Sequence, residues 1–253
     1  NSVQACIMII TRSPLRISFA GGGTDIPTFY NSHGPGVVVS TTISRYVYVT
    51  LNRKFDGKVS VRYRVHESTE SVEDLKHPLI RETLLAYGIH AGVEMVVMSD
   101  VPARGSGLGA SSALACALCA ALTRWVGENG PLTEEKNLKI AECASSIEID
   151  RVGSPIGKQD HYSSAMGGVN MFRFEKSGDV ARERFTSEDF IREIESQSML
   201  FYLNMEHEYS GGNFVQKILR EQISEIDRKM RAYEMQRDNA MRLWEHMAYE
   251  VPE

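Results

Sequence analysis

Glycines at 105, 107 and 109 alternate through Pro102-Ala-Arg104-Gly105-Ser106-Gly107-Leu108-Gly109-Ala110-Ser111-Ser112, and an apolar run from Ala113 to Leu122 follows. That spacing makes neither a good strand nor a good helix. Glycine accepts positive φ and lets a ligand or a second backbone come close. Two serines stand where the next helix should start, and Ser is a favoured N-cap. A bare loop feeding a helix N-terminus offers unpaired N–H groups and the positive end of the helix dipole, which suits an anion and above all a phosphate. A tight turn without a ligand explains the stretch equally well, so both readings stand at this point. The dinucleotide and P-loop fingerprints do not fit: the pattern is G-x-G-x-G, no Gly-Lys-Ser/Thr follows, and Gly157-Lys158 leads into Gln159.

The 253 residues suffice for one large domain or two ordinary ones. Apolar content of 42% with 24% charged residues is that of a soluble globular protein. A net charge of −5 argues against a nucleic-acid partner. Ala113 to Leu122 is far shorter than the ~20 apolar residues a bilayer span needs, so no membrane partner is expected. The stretch before Met8 lacks the basic start and apolar core of a signal peptide, and Met8 reads as the natural start. Cys116 and Cys119 have C-x-x-C spacing, but they sit inside the apolar run without a second Cys or His pair. With Cys6 and Cys143 they read as free thiols in a reducing cytoplasm.

Along the chain, residues 9–20 alternate as a strand with a break at Pro14, and the triple glycine 21–23 ends it. Gly36 to Leu51 is one or two strands, and Lys58 to Val65 another, with Asp56-Gly57 as the hairpin turn between them. A helix led by Pro78 runs over 77–87, and a strand over 91–100 arrives at the glycine bend. Helices follow at about 111–126 and 133–149, the second capped by Thr133. Strands come after Gly168 and at Met199 to Asn204. Beyond Gly212 the chain has no Gly, and no Pro before Pro252; it reads as a long helix with one face packed on the domain. The pattern is α+β, with a mostly antiparallel sheet and helices on one face.

Four further constellations could carry chemistry. Arg16 on a strand runs into Gly22, Gly23, Thr24 and Asp25, which is either a polyol pocket with Asp25 accepting from hydroxyls, or a turn with an Asx cap. Glu148 sits near a helix C-terminus, the unfavourable end for a carboxylate. It is either solvated or offset by a cation, Arg151 or a bound metal. Asp160, in the loop Pro155-Ile-Gly157-Lys158-Gln159-Asp160-His161-Tyr162, could orient a hydroxyl and take its proton. His161 is an alternative base or a plain hydrogen-bonding residue. Tyr209-Ser210-Gly211-Gly212-Asn213 is an anion site or a capping turn.

Together these motifs resemble the GHMP kinases, a family of small-molecule kinases. Pro102 with Gly105 to Ser112 looks like the family's P-x-x-x-G-L-G-S-S-A signature, Ser13-Pro-Leu-Arg16 with Gly22 to Asp25 like its first motif, and Gly157-Lys-Gln-Asp160-His like its catalytic-aspartate loop. The wording SPLRISFAGGGTD, PIGKQD and GGVN is most similar to the kinases of D-glycero-D-manno-heptose 7-phosphate, and fucose-type kinases share it. The resemblance implies a GHMP N-terminal ATP-binding domain over 8–195 and the start of an incomplete α+β C-terminal domain over 196–253. It implies ATP and Mg²⁺ as cofactors and a sugar phosphate as substrate, phosphorylated at the anomeric hydroxyl. Pro102, Arg104, Gly105, Ser106, Gly107, Leu108, Gly109, Ala110, Ser111 and Ser112 would wrap the ATP phosphates. Ser111 and Glu148 would meet Mg²⁺, with Ser112 as the adjacent alternative. Gly22, Gly23, Thr24 and Asp25 would bind the sugar, Asp160 would deprotonate it, and Arg16 would hold Asp160 ionised. Ala110 replaces the usual first serine after G-L-G, which shifts the serine register. The family's third, C-terminal glycine-rich motif is absent before Glu253. A strand at 199–203 would then lack partners, and an exchange between two copies, a homodimer, would cover it. A kinase of fucose- or galactose-type sugars, or a silent nucleotide- or sugar-binding fragment, is the alternative function.

Overall fold

The computed structural model describes residues 8–102, 106–128, 130–201 and 223–249. In chain order the elements are β1 (Ile9–Ala20), α1 (Pro27–His33), β2 (Gly36–Arg53), β3 (Val59–Arg62), β4 (His66–Thr69), α2 (Pro78–Ala86), β5 (Val93–Ser99), α3 (Ala110–Trp125) and α4 (Glu134–Ser146). A single π turn (Ile147–Arg151) extends α4. Then come α5 (Gln159–Met166), β6 (Val169–Phe174), β7 (Val180–Arg184), α6 (Glu188–Gln197) and α7 (Ile223–Tyr249). The chain is mixed α+β; β2·β5, β2·β6, β3·β4 and β6·β7 are antiparallel and β3·β5 is parallel.

Two compact units divide the chain: Asn1–Leu15, Ser44–Ser154 and Asp160–Met166 form the first; Arg16–Ile43, Pro155–Gln159 and Gly167–Glu253 form the second. In the first, the strand order is β4-β3-β5-β2, with Val47 to Arg53 of β2 running antiparallel to β5 in the register Val47↔Ser99. Asp56-Gly57 therefore makes no hairpin between neighbours. β5 inserts between β2 and β3, and the turn is tied to its entry: Gly92 N donates to Gly57 O at 2.9 Å and Lys54 N to Gly92 O at 2.9 Å. Val49, Leu51, Val59, Val61, Val93 and Met95 are buried in this unit. So are Leu79, Ile80 and Leu84 of α2 and most of α3. The Ala and Cys side chains of α3 are small enough for α2 and α4 to pack closely against it. Thr11 Oγ1 donates to Ala117 O at 2.8 Å and so ties β1 to the same helix.

In the second unit, Gly36 to Thr41 of β2 pair with β6, and β6 pairs with β7. α7 lays Ala240, Leu243, Trp244 and Met247 on Val37, Val39, Val169 and Phe185. Trp244 Nε1 donates to Glu183 Oε2 at 2.8 Å. One apolar face of the long helix is thus packed, as its sequence implies, over residues 240–247. The stretch 202–222, with the Tyr209–Asn213 turn, lies outside the described residues. Met199 to Phe201 form no strand and are exposed, which corrects the expected strand there. β1 runs unbroken through Pro14. Among the described strands it pairs with β2 alone, and an edge strand tolerates proline on its unpaired side.

Candidate active site

At the glycine bend, Pro102 is exposed and Ser106 Oγ accepts from Leu108 N at 3.4 Å. Arg104 and Gly105 lie outside the described residues. Gly109, not a serine, is the N-cap of α3: its φ of 73° is left-handed, and no side chain caps the helix. Ala110, Ser111 and Ser112 are the first three helical residues, so their N–H groups have no intrahelical acceptor. The positive end of a sixteen-residue helix is therefore bare of a side-chain cap. The serine hydroxyls are released from capping, and they turn to Glu148.

Glu148 lies on the π turn, a feature found mostly as single turns inside α-helices and often at functional sites. It is 3% exposed, so its charge must be met from inside the protein. Ser111 Oγ donates to Oε1, Ser112 Oγ to Oε2 at 2.9 Å, and His161 Nε2 lies 2.7 Å from Oε2. Burial opposes the charge. Hydrogen bonding and attraction to His161, then the two serine bonds, outweigh it and hold the carboxyl below the usual carboxylate range. Arg151, the cation expected from sequence to offset Glu148, pairs instead with Glu82 at 3.4 Å. The π turn changes the helical phase, so a residue three positions on no longer shares a face with Glu148.

Asp160 is the second residue of α5 rather than part of a loop, near a helix start where a carboxylate is favoured. Its neighbour His161 is fully buried, and Cys116 Sγ donates to His161 O at 3.3 Å. Burial first, then the charges of Glu148 and Asp160, push the Cys116 thiol well above its usual range. The first unit brings Ser111, Ser112, Glu148 and His161 into contact, with Asp160 next to His161 in the chain.

Arg16 and the Gly22–Asp25 turn belong to the second unit. Arg16 is half-buried on β1. Asp25, 1% exposed, accepts from Gly23 N at 3.1 Å, Gln159 N at 2.9 Å and Gln159 Nε2 at 3.2 Å. A Cβ on Gly157 would overlap the Asp25 carboxylate. Thr24 Oγ1 donates to Gly21 O at 2.8 Å and accepts from Val37 N at 3.0 Å. The ring of Tyr233 on α7 lies against Gly23, and a Cβ on Gly22 would meet only ordinary contacts with Gln159 Nε2 and Ser18 Oγ. Asp25 and Thr24 hold this turn closed, and Gly22 in it is half-buried.

Oxygen donors, a serine hydroxyl and a carboxylate, are the chemistry a hard cation such as Mg²⁺ takes. Ser112 is buried and spent on Oε2, whereas Ser111 is exposed and sits on Oε1. Ser111 and Oε1 are therefore the pair open to a cation. No cluster of three or more His, Cys, Asp or Glu among the described residues is placed to hold a metal. No described helix is long and apolar enough to cross a membrane.

Residues 75–168 match the family described as GHMP kinases N terminal domain. Over that span the chain is similar to the GHMP kinase N-terminal domain. D-glycero-alpha-D-manno-heptose 7-phosphate kinase of Campylobacter jejuni is 31% identical over 219 residues, 79% of this chain and 61% of that protein. A D-glycero-D-manno-heptose 1-phosphate kinase from Bacteroides thetaiotaomicron has a similar structure, with a TM-score of 0.63 and 25% identity over 73% of this chain and 62% of that one. Lactococcus lactis galactokinase, solved with galactose, shares the fold at a TM-score of 0.61 and 18% identity, over 96% of this chain and 70% of that one. The chain thus spans less than two thirds of either heptose phosphate kinase. The matched GHMP span contains the glycine bend, both serines, Glu148, Asp160 and His161, and begins after Arg16 and Asp25.

Proposed function

We propose that this GHMP domain serves an ATP- and Mg²⁺-dependent sugar kinase that phosphorylates the anomeric hydroxyl of a sugar phosphate of the heptose 7-phosphate type. The observation that carries the reading is the Glu148 carboxylate, buried and ringed by Ser111, Ser112 and His161 at the uncapped start of α3. Bound Mg²⁺·ATP supplies the electrophilic γ-phosphoryl group and the cationic charge that phosphoryl transfer needs. The N–H groups of the Gly107–Ser112 bend would hold the phosphates, and Arg104 and Gly105 complete the loop by sequence. Ser111 Oγ and Glu148 Oε1 would ligate the cation. Ser112 and His161 hold Glu148 from behind. Asp160 would accept the proton of the attacking hydroxyl, and the family resemblance gives Arg16 the cationic role. The sugar would approach at Gly22, with Gly23, Thr24 and Asp25 keeping that turn in shape. On this reading residues 8–195 are the ATP-binding domain, 196–253 open the C-terminal domain, and the protein works in the cytoplasm.

The support for the sugar is the named activity of the Campylobacter relative. The test mixes the longest available chain with ATP, Mg²⁺ and heptose 7-phosphate, and follows ADP release and the phosphorus spectrum of the product. The expected outcome is a sugar 1,7-bisphosphate, with Asp160→Asn lowering kcat by ~10³-fold or more. Turnover of galactose or fucose in place of the heptose phosphate would move the substrate to neutral sugars. ATP binding without turnover of any sugar would make the domain a silent binder.

A further inference from the structure

His161 is fully buried, with Nε2 2.7 Å from Glu148 Oε2. An ionised carboxylate only accepts hydrogen bonds, so the ring nitrogen facing it carries a proton. The other nitrogen, Nδ1, is buried without a hydrogen-bond partner. Leaving a buried acceptor unpaired costs free energy that an apolar side chain of the same volume would avoid. The residue is therefore a poor choice as mere filling, and the Nε2 bond is the one contact that needs an imidazole. Glu148 Oε2 takes two donors from buried side chains, Ser112 and His161, while Oε1 faces the exposed Ser111. The terminal torsion of a Glu is otherwise broad and roughly two-fold. Two donors on one oxygen remove that freedom, because rotation would break both bonds. The His161 carbonyl is also tied to α3 through Cys116 Sγ, and Asp160 is its covalent neighbour.

We propose that His161 is a positioning residue: it locks the Glu148 carboxylate with Oε1 presented beside Ser111, and it carries Asp160 on the same frame. The inference rests on the reading of Glu148 as a cation ligand. Partners of metal-ligating groups commonly change affinity by ~10–100-fold when removed.

The test uses Mn²⁺ as the probe, with free Mn²⁺ read by electron paramagnetic resonance in the presence of ATP, and metal-free ATP binding read by calorimetry. His161→Leu should weaken Mn²⁺ by ~10–100-fold and leave metal-free ATP affinity within about two-fold. His161→Gln, whose amide N–H reaches the place of Nε2, should recover Mn²⁺ affinity to within about five-fold of wild type. Unaltered Mn²⁺ affinity in His161→Leu overturns the inference. Equal weakening in both variants overturns it as well, since that is the mark of packing alone. Nitrogen-15 spectra of the wild-type histidine should show a proton on Nε2, and a ring protonated only at Nδ1 overturns the inference even if no variant folds. Wild type that fails to bind Mn²⁺·ATP overturns the kinase reading itself. Wild type that binds, with His161→Leu unaltered, overturns only the role of His161.

Discussion

Glu148 in the first unit and Asp25 in the second are both buried carboxylates, 3% and 1% exposed, and both accept from at least three donors. Their donors differ in kind. Asp25 is held by two backbone N–H groups and an amide, all in the turns it closes, and Gly157 is pressed against it from below. Removing any of these donors opens the turn it belongs to. Glu148 is held by side chains alone, and one of them, Ser111, is exposed and can rotate its hydroxyl away. Burial and a full set of hydrogen bonds do not by themselves mark a working carboxylate. The replaceable donor does.

The contrast can be broken in several ways, taken from the largest effect down. Glu148→Ala should lower kcat/KM for phosphoryl transfer by ~10³-fold, about 4 kcal/mol of transition-state stabilisation, with the circular dichroism of the fold retained. A loss below tenfold, read from ADP release, would put Glu148 in the same structural class as Asp25. Gly157→Ala should cost roughly 3 kcal/mol in a urea unfolding curve, because the new methyl group meets the Asp25 carboxylate. Asp25→Asn should cost about 2 kcal/mol by the same measurement, since it leaves donors unpaired. An unchanged urea midpoint in either variant would show that the turn has slack. Ser111→Ala should raise the Mg²⁺ concentration for half-maximal rate by about tenfold with little change in stability, and Ser112→Ala should lose about 1 kcal/mol of stability. The reverse pattern would exchange the two serines' roles.

The smallest effect concerns Cys143 on α4. Cys119 Sγ donates to Cys143 Sγ at 3.9 Å and lowers its pKa; burial opposes this, while the Tyr87 hydroxyl and Arg151 assist, so the thiol comes down from 9.0 to about 6. A lowered pKa means thiolate at lower pH. Alkylation of Cys143 by iodoacetamide should therefore reach half its maximal rate near pH 6 and level off by about pH 7.5 instead of rising through pH 9, with Cys116 and Cys119 protected. Mass spectrometry of the alkylated peptides reads the order directly, and a rate still rising at pH 9 would refute it.

Much of this was legible in the sequence, and the exceptions have physical causes. Strands declared by runs of Val, Ile and Thr, and helices announced by Pro78 and Thr133, fell within a few residues of their places. The insertion of β5 between β2 and β3 was not legible, because pairing between distant segments leaves no local trace. Helices α1 and α6 are short and polar enough to read as loop. Glu148 was found as a carboxylate in an unfavourable place, but its partner was sought nearby, at Arg151. The π turn that redirects Arg151 has no composition signal. His161 could have been found by asking which donor in the Asp160 motif a buried carboxylate would require. Asp25 was legible as special, yet whether it faces a ligand or its own backbone depends on Gln159, 134 positions away.

The placement of β2 has a consequence for synthesis. This eighteen-residue strand leaves the ribosome with Val37, Val38, Val39, Val47 and Val49 already in place, while its flanking neighbours β5 and β6 have yet to be made. Until then it is a long, sticky ribbon with β1 for company. Slow translation between codons 54 and 168 should therefore favour capture by chaperones, and the yield of native protein should depend on how quickly the ribosome delivers those two later strands.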